Sequence, residues 1–126
     1  MNSLNDKNID DLKTPVVFFK NQVKDFVEKR NWSKYHTIKN LIQALGIEVA
    51  ELSEIFLFKD LEKSQIMRNP KLMEEISDEV ADIFIYLISL VNVLDLDLTT
   101  AFLKKMSKNK KKYPLKEFKN GNYYKK

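Results

Sequence analysis

Residues 79–91, Glu-Val-Ala-Asp-Ile-Phe-Ile-Tyr-Leu-Ile-Ser-Leu-Val, decide the fold. Two acidic side chains stand three positions apart and lead into a run that is apolar almost without interruption. The run continues a segment that opens on Asn69-Pro70, an N-cap followed by the first helical position. The spacing predicts one helix from Pro70 to about Leu94. A helix that is apolar nearly all round must be surrounded, so it lies at the centre of a bundle or in a subunit interface.

Three more helices are predicted around it. The first runs from Pro15 to about Lys29, with Thr14 as N-cap and with Val16, Phe19, Val23, Phe26 and Val27 at helical spacing. A polar and aromatic connection, Arg30–His36, leads to the second, Thr37 to about Phe58, where Leu41, Leu45, Val49, Leu52 and Phe56 line one face. Gly46 sits inside it at a cost of about 1 kcal/mol relative to Ala, which points to close helix packing. Lys59–Arg68 reads as a charged loop. Asp97 caps the fourth helix, Leu98 to about Lys112, which Pro114 ends.

No stretch has a strand pattern, and two Gly and three Pro leave few breakers. The fold class is all-α, a four-helix-bundle-type subunit. The 126 residues suit one domain, 1–126, with 1–14 and 115–126 loosely ordered. One small chain has little material to cover an all-apolar helix, so a homo-oligomer is expected.

Composition excludes several classes. The chain has no Cys, which rules out disulfides and thiolate metal sites, and its one histidine, His36, rules out a site with two imidazoles from one chain. The N-terminus lacks the apolar core of a signal peptide. The longest apolar-rich stretch, Ile83–Leu94, falls short of the ~20 residues that span a bilayer. A cytoplasmic protein without a membrane partner is expected. The net charge of +4 comes from lysines crowded into the C-terminal quarter, which form either a solvated surface or a surface that meets phosphates.

Glu48-Val-Ala-Glu51 and Glu79-Val-Ala-Asp82 carry the chemistry. Residues three apart share a helix face, so each pair projects two carboxylates the same way from an apolar part of its helix. Burying like charges together is costly unless something compensates. A divalent cation is the simplest compensation, and clustered carboxylate oxygens suit Mg²⁺ or Mn²⁺. The other reading is a solvated stripe. A di-iron site needs Glu-x-x-His on two helices, which this chain lacks. An acidic cluster with Mg²⁺ points to phosphate chemistry.

These residues stand in an ordered context: Arg30-Asn31-Trp32, then His36-Thr37-x-Lys39-Asn40-Leu41, then the two acidic pairs. Asp82-Ile-Phe-Ile-Tyr86-Leu87, Asp97-Leu98 and Lys105-Met106-x-x-Asn109-x-x-Lys112-Tyr113-Pro114 follow. From Val23 to Pro114 this set resembles the all-α NTP pyrophosphohydrolases, the MazG-like superfamily, in its dCTP pyrophosphatase branch. The resemblance implies cleavage of a nucleoside triphosphate between its α and β phosphates, giving the monophosphate and pyrophosphate. dCTP or a related dNTP is the expected substrate, and cleansing of the nucleotide pool the expected role. It implies Mg²⁺, with Mn²⁺ as a substitute, held by Glu48, Glu51, Glu79 and Asp82; one of these groups, or a neighbour, orients the attacking water, with Glu48 and Glu51 as equal candidates. It selects Glu79/Asp82 over Glu75/Asp78, a pair of the same spacing one turn earlier.

The resemblance also gives roles to residues that are ambiguous alone. Trp32 either plugs the bundle end or stacks on a base, and the resemblance favours stacking. His36 donates to a phosphate or a base edge, or merely caps structure. Phe58 stands where cytosine-preferring relatives carry tryptophan, which changes the aromatic face offered to the base. Lys105, Asn109, Lys112 and Tyr113 become a cationic, hydrogen-bonding rim for the triphosphate. Relatives form dimers, or tetramers of two dimers, whose subunits complete each other's pockets; a tetramer is favoured here. Nucleic acid is not an expected partner. A helical adaptor, or a nucleic-acid-binding bundle using the Lys-rich C-terminus, is the alternative from another class.

Overall fold

Thr37, Asn69 and Asp97 each accept a hydrogen bond from the backbone amide three residues on, at 3.2, 3.1 and 2.8 Å, and so start three helices. The computed structural model describes residues 9–126. In chain order these form α1 (Val16–Lys29), a 3-10 turn (Ser33–Tyr35), α2 (Ile38–Ile55), α3 (Lys63–Met67), α4 (Pro70–Val93) and α5 (Leu98–Lys112). No strand occurs among the described residues. The chain falls into two compact units, one ending at Asp95 and the other running from Leu96 to Lys126.

In the first unit α2 packs chiefly on α4, with α1 and α3 adding smaller contacts to α4. Leu41 of α2 and Ile88 of α4 are the large side chains sealed from solvent, and Val27 and Val91 complete the buried apolar set among the described residues. Phe19 of α1 meets Phe84 of α4 edge-on, with ring centroids 5.1 Å apart. Asn92 Nδ2 donates to the Lys20 carbonyl at 3.0 Å, a second tie between α1 and α4. Buried Ser89 is satisfied by donating to the Ile85 carbonyl one turn back. Much of the apolar run in α4 stays open: Val80, Phe84 and Ile85 are exposed. No helix among the described residues is long and apolar enough to cross a membrane.

The four long helices stand where the periodicity puts them, and the differences are local. Thr14 does not cap α1. Its Oγ1 donates to the Asp10 carbonyl at 2.6 Å, and Pro15 takes the N-cap position without a side-chain bond. The expectation of loose order for residues 1–14 falls partly on 1–8, which lie outside the described residues. The charged segment contains the five-residue α3, started by the Gln65 side chain, whose Oε1 accepts from the Glu62 amide at 2.8 Å. Gly46 is not a point of close packing within the chain, since a Cβ there meets nothing within 4 Å. In the second unit α5 leads through Tyr113 and Pro114 into a tail with contacts of its own.

α2 ends three residues before Phe58. Phe58 has φ 58°, the left-handed region that glycine adopts freely and a bulky residue occupies under strain. It is 99% exposed, so no packing offsets that strain. Phe58→Gly is therefore expected to raise the unfolding free energy by about 0.5–1 kcal/mol in urea denaturation.

Candidate metal centre

Packing of α2 on α4 brings acidic side chains from both helices to one place. Oxygens of Glu48, Glu51 and Glu79 lie within 4.8 Å of one another. Glu48 and Glu79 are half-buried, and Glu51 is exposed. The Oε2 atoms of Glu48 and Glu79 are buried with no hydrogen-bond partner. Two facing carboxylates bond to each other only by sharing a proton, so in the ionised state both oxygens lack a donor. Leaving such a group unsatisfied costs roughly 1–3 kcal/mol or more.

The electrostatics follow from the geometry. Burial, then the contacts with Glu51 and Glu79, then the charges of Glu51 and Asp82, push the Glu48 carboxyl up to about 7. Burial raises Glu79 as well, reinforced by the charges of Glu51 and Asp82 and partly offset by its contact with Glu48. Asp82 is exposed and stands outside the cluster of three, acting on it through its charge. The span of the cluster matches the ~4–5 Å across a six-oxygen shell around a hard divalent cation. All three donors are carboxylates, the set such ions prefer. The residues therefore fit a divalent metal.

Glu75, of the pair one turn earlier, lines a different place. With Lys59, Leu61, Asn69, Lys71 and Leu72 it borders an open cavity of about 320 Å³, where lysines rather than carboxylates surround it. Glu75 is not among the three residues whose carboxylate oxygens converge.

The remaining candidate residues divide by position. Trp32 and His36 flank the 3-10 turn ahead of α2, and Asn40 Nδ2 binds that turn to the helix through the Tyr35 carbonyl at 3.0 Å. Trp32 meets Phe26 edge-on at 5.7 Å, and the Arg30 guanidinium stacks 3.7 Å over the Phe26 ring. Arg30 thus braces the wall beside the indole, a role signalled only by the four-residue step from Phe26 to Arg30. Trp32 is 44% exposed and His36 half-buried, so the indole is not a sealed plug. Phe58 follows the other end of α2. Eighteen residues separate the two ends, about 27 Å at the helical rise, so one chain does not bring Trp32 and His36 to the same base as Phe58. Lys105, Asn109, Lys112 and Tyr113 belong to the second unit and fall on one side of α5 and its cap, with Asn109 and Tyr113 half-buried.

Residues 44–126 match the MazG-like family. The chain is 36% identical over 92 residues to dCTP pyrophosphatase 1 of Rattus norvegicus, covering 72% of this chain and 54% of that protein. The Homo sapiens dCTP pyrophosphatase 1 is 36% identical over 91 residues, covering 71% and 54%. The chain thus spans about half the length of these relatives. A crystal structure of a pyrophosphatase from Archaeoglobus fulgidus is similar at 38% identity and a TM-score of 0.67, covering 75% of this chain and 87% of that one.

Without metal, the raised Glu48 carboxyl stabilises the fold where it is protonated. That contribution is complete below its unfolded value of 4.5 and is lost as pH rises through about 7. Glu117, held low, changes its contribution only below that window. In EDTA the melting temperature is expected to fall between pH 5 and pH 8, and Glu48→Gln to flatten the slope. Thermal denaturation across that range checks both.

Proposed function

We propose, from the premise that this chain belongs to the MazG-like family, that it hydrolyses nucleoside triphosphates to monophosphate and pyrophosphate. Mg²⁺ is the cofactor, with Mn²⁺ as a substitute. dCTP or a related dNTP is the substrate, and the role is cleansing of the cytoplasmic nucleotide pool. The observation that carries the reading is the convergence of Glu48, Glu51 and Glu79 with two buried oxygens that lack a donor. Relatives named dCTP pyrophosphatase 1 support it.

Glu48, Glu51 and Glu79 would hold the metal, with Asp82 adding charge and a further oxygen. Bound there, Mg²⁺ supplies neutralisation of phosphate charge and a lowered pKa for water. Glu51, the exposed member of the three, takes the position from which to orient a water for in-line attack. Lys105 and Lys112 neutralise charge on the departing pyrophosphate, while Asn109 and Tyr113 donate to its oxygens. Trp32 offers a stacking face with one side braced by Phe26, and His36 a hydrogen bond to the base edge or a phosphate.

The base site is shared between chains. Trp32 and His36 precede α2 and Phe58 follows it, too far apart for one base, so Phe58 of a neighbouring copy closes the pocket. The exposed stripe of Ile42, Gly46 and Val49 on α2, with Val80, Phe84 and Ile85 on α4, is the apolar surface such an assembly would cover. The unfilled space at Gly46 would admit a helix from that copy. A tetramer of two dimers is the assembly we favour.

Glu51→Gln and Asp82→Asn are each expected to lower pyrophosphate release from dNTPs with Mg²⁺ by about 100-fold or more. Near wild-type turnover in either variant would remove that residue from the metal centre. A panel of natural and modified triphosphates identifies the base. Sedimentation at micromolar concentration is expected to show an oligomer, and a monomer there would contradict the shared base site.

A further inference from the structure

The tail beyond α5 turns back on itself. The Glu117 and Phe118 amides reach the Pro114 carbonyl at 3.0 and 3.3 Å, and the Gly121 amide reaches the Phe118 carbonyl at 3.0 Å. Gly121 has φ 74°, which a glycine adopts without strain. This reversal returns the last residues to the C-terminal end of α5.

Lys126 is the hub there. Its Nζ lies 2.6 Å from Glu117 Oε2 and donates to the Lys112 carbonyl at 3.0 Å, at a helix end where a cation is favoured. Its backbone amide donates to Tyr113 Oη at 2.9 Å. The ammonium stands 6.0, 5.6 and 6.0 Å from the ring centroids of Tyr113, Phe118 and Tyr124. Tyr124 Oη donates to Glu117 Oε1. Phe118 lies between the two tyrosine rings, 5.5 Å from Tyr113 and 4.9 Å from Tyr124.

The consequence falls on the Tyr113 hydroxyl. A phenol both donates and accepts. With its oxygen accepting from the Lys126 amide, its proton remains to be donated, and the accepted bond strengthens the hydroxyl as a donor. A phosphate oxygen only accepts, so a hydroxyl set this way suits it.

We propose that Glu117, Tyr124 and Lys126 are positioning residues that hold the Tyr113 hydroxyl as a donor to the triphosphate of the substrate. The inference rests on the reading of Tyr113 as a triphosphate contact. It adds residues from a segment whose sequence carries no such signal. Lys126 and Tyr124 together hold the Glu117 carboxyl below the usual carboxylate range, Lys126 contributing most, so the ion pair persists at neutral pH. The pair is about one-third exposed on each side, where such pairs add little to global stability, so the network acts on geometry.

The test is steady-state pyrophosphate release by the full chain with Mg²⁺ and dCTP, comparing Tyr113→Phe, Lys126→Met, Lys126→Arg and the Tyr113→Phe/Lys126→Met pair. Lys126→Met is expected to raise KM about 3–10-fold with kcat within about 2-fold, and to add nothing in the Tyr113→Phe background. Lys126→Arg is expected to restore most of the KM. Trypsin is expected to cut Lys126→Met faster than wild type after Lys116 and Lys119, an effect independent of turnover. A raised KM in Tyr113→Phe with an unchanged KM in Lys126→Met overturns the positioning role and leaves the substrate role of Tyr113 standing. An unchanged KM in Tyr113→Phe overturns that substrate role and the proposal with it. A wild-type chain inactive on every triphosphate overturns the proposed function itself. A fall in kcat and melting temperature together in Lys126→Met marks a structural role and also overturns the proposal.

Discussion

Repulsion between half-buried carboxylates is the constraint around which the first unit is organised. Glu48 and Glu79 face each other between α2 and α4, the two helices whose packing also buries Leu41 and Ile88. Each carries a buried oxygen with no hydrogen-bond partner in the protein. Apolar side chains in place of these groups would be simpler for folding alone. The arrangement is coherent if the missing partner is a cation, because one divalent ion answers the desolvation, the mutual repulsion and the orphaned oxygens together. A proton answers them in part, and burial pushes the Glu48 carboxyl up to about 7.

The pieces around this centre are held by short-range devices. Asn40 ties the turn bearing Trp32 and His36 to the start of α2, and Arg30 braces Phe26 beside the indole. Phe58 sits at the far end of the same helix in a strained, open conformation. A rigid α2 therefore keeps these aromatic groups at opposite ends of one helix.

Most of the helical frame was legible from residues alone. Thr37, Asn69 and Asp97 combine a good capping side chain with a helical apolar period, and local chemistry agrees there with tertiary packing. Thr14 misleads because the Asp10 carbonyl takes its hydroxyl. α3 escapes notice because one reciprocal contact between Glu62 and Gln65 starts a helix too short for any period. The facing of Glu48, Glu51 and Glu79 follows from two pairs at helical spacing on apolar helices. The exposed, outlying place of Asp82 does not follow, since spacing fixes a face and not a depth. The Lys126 cluster is illegible in principle: it depends on one chain reversal at Gly121 within a polar, aperiodic tail.

The central claim is that the three facing carboxylates form a divalent-metal site, and Mn²⁺ binding followed by electron paramagnetic resonance tests it most directly. Titrating the full chain with Mn²⁺ at neutral pH should show saturable binding that Mg²⁺ displaces, and Glu79→Gln should abolish it. Binding that persists unchanged in Glu79→Gln, or no saturable binding in the unaltered chain, would contradict the account.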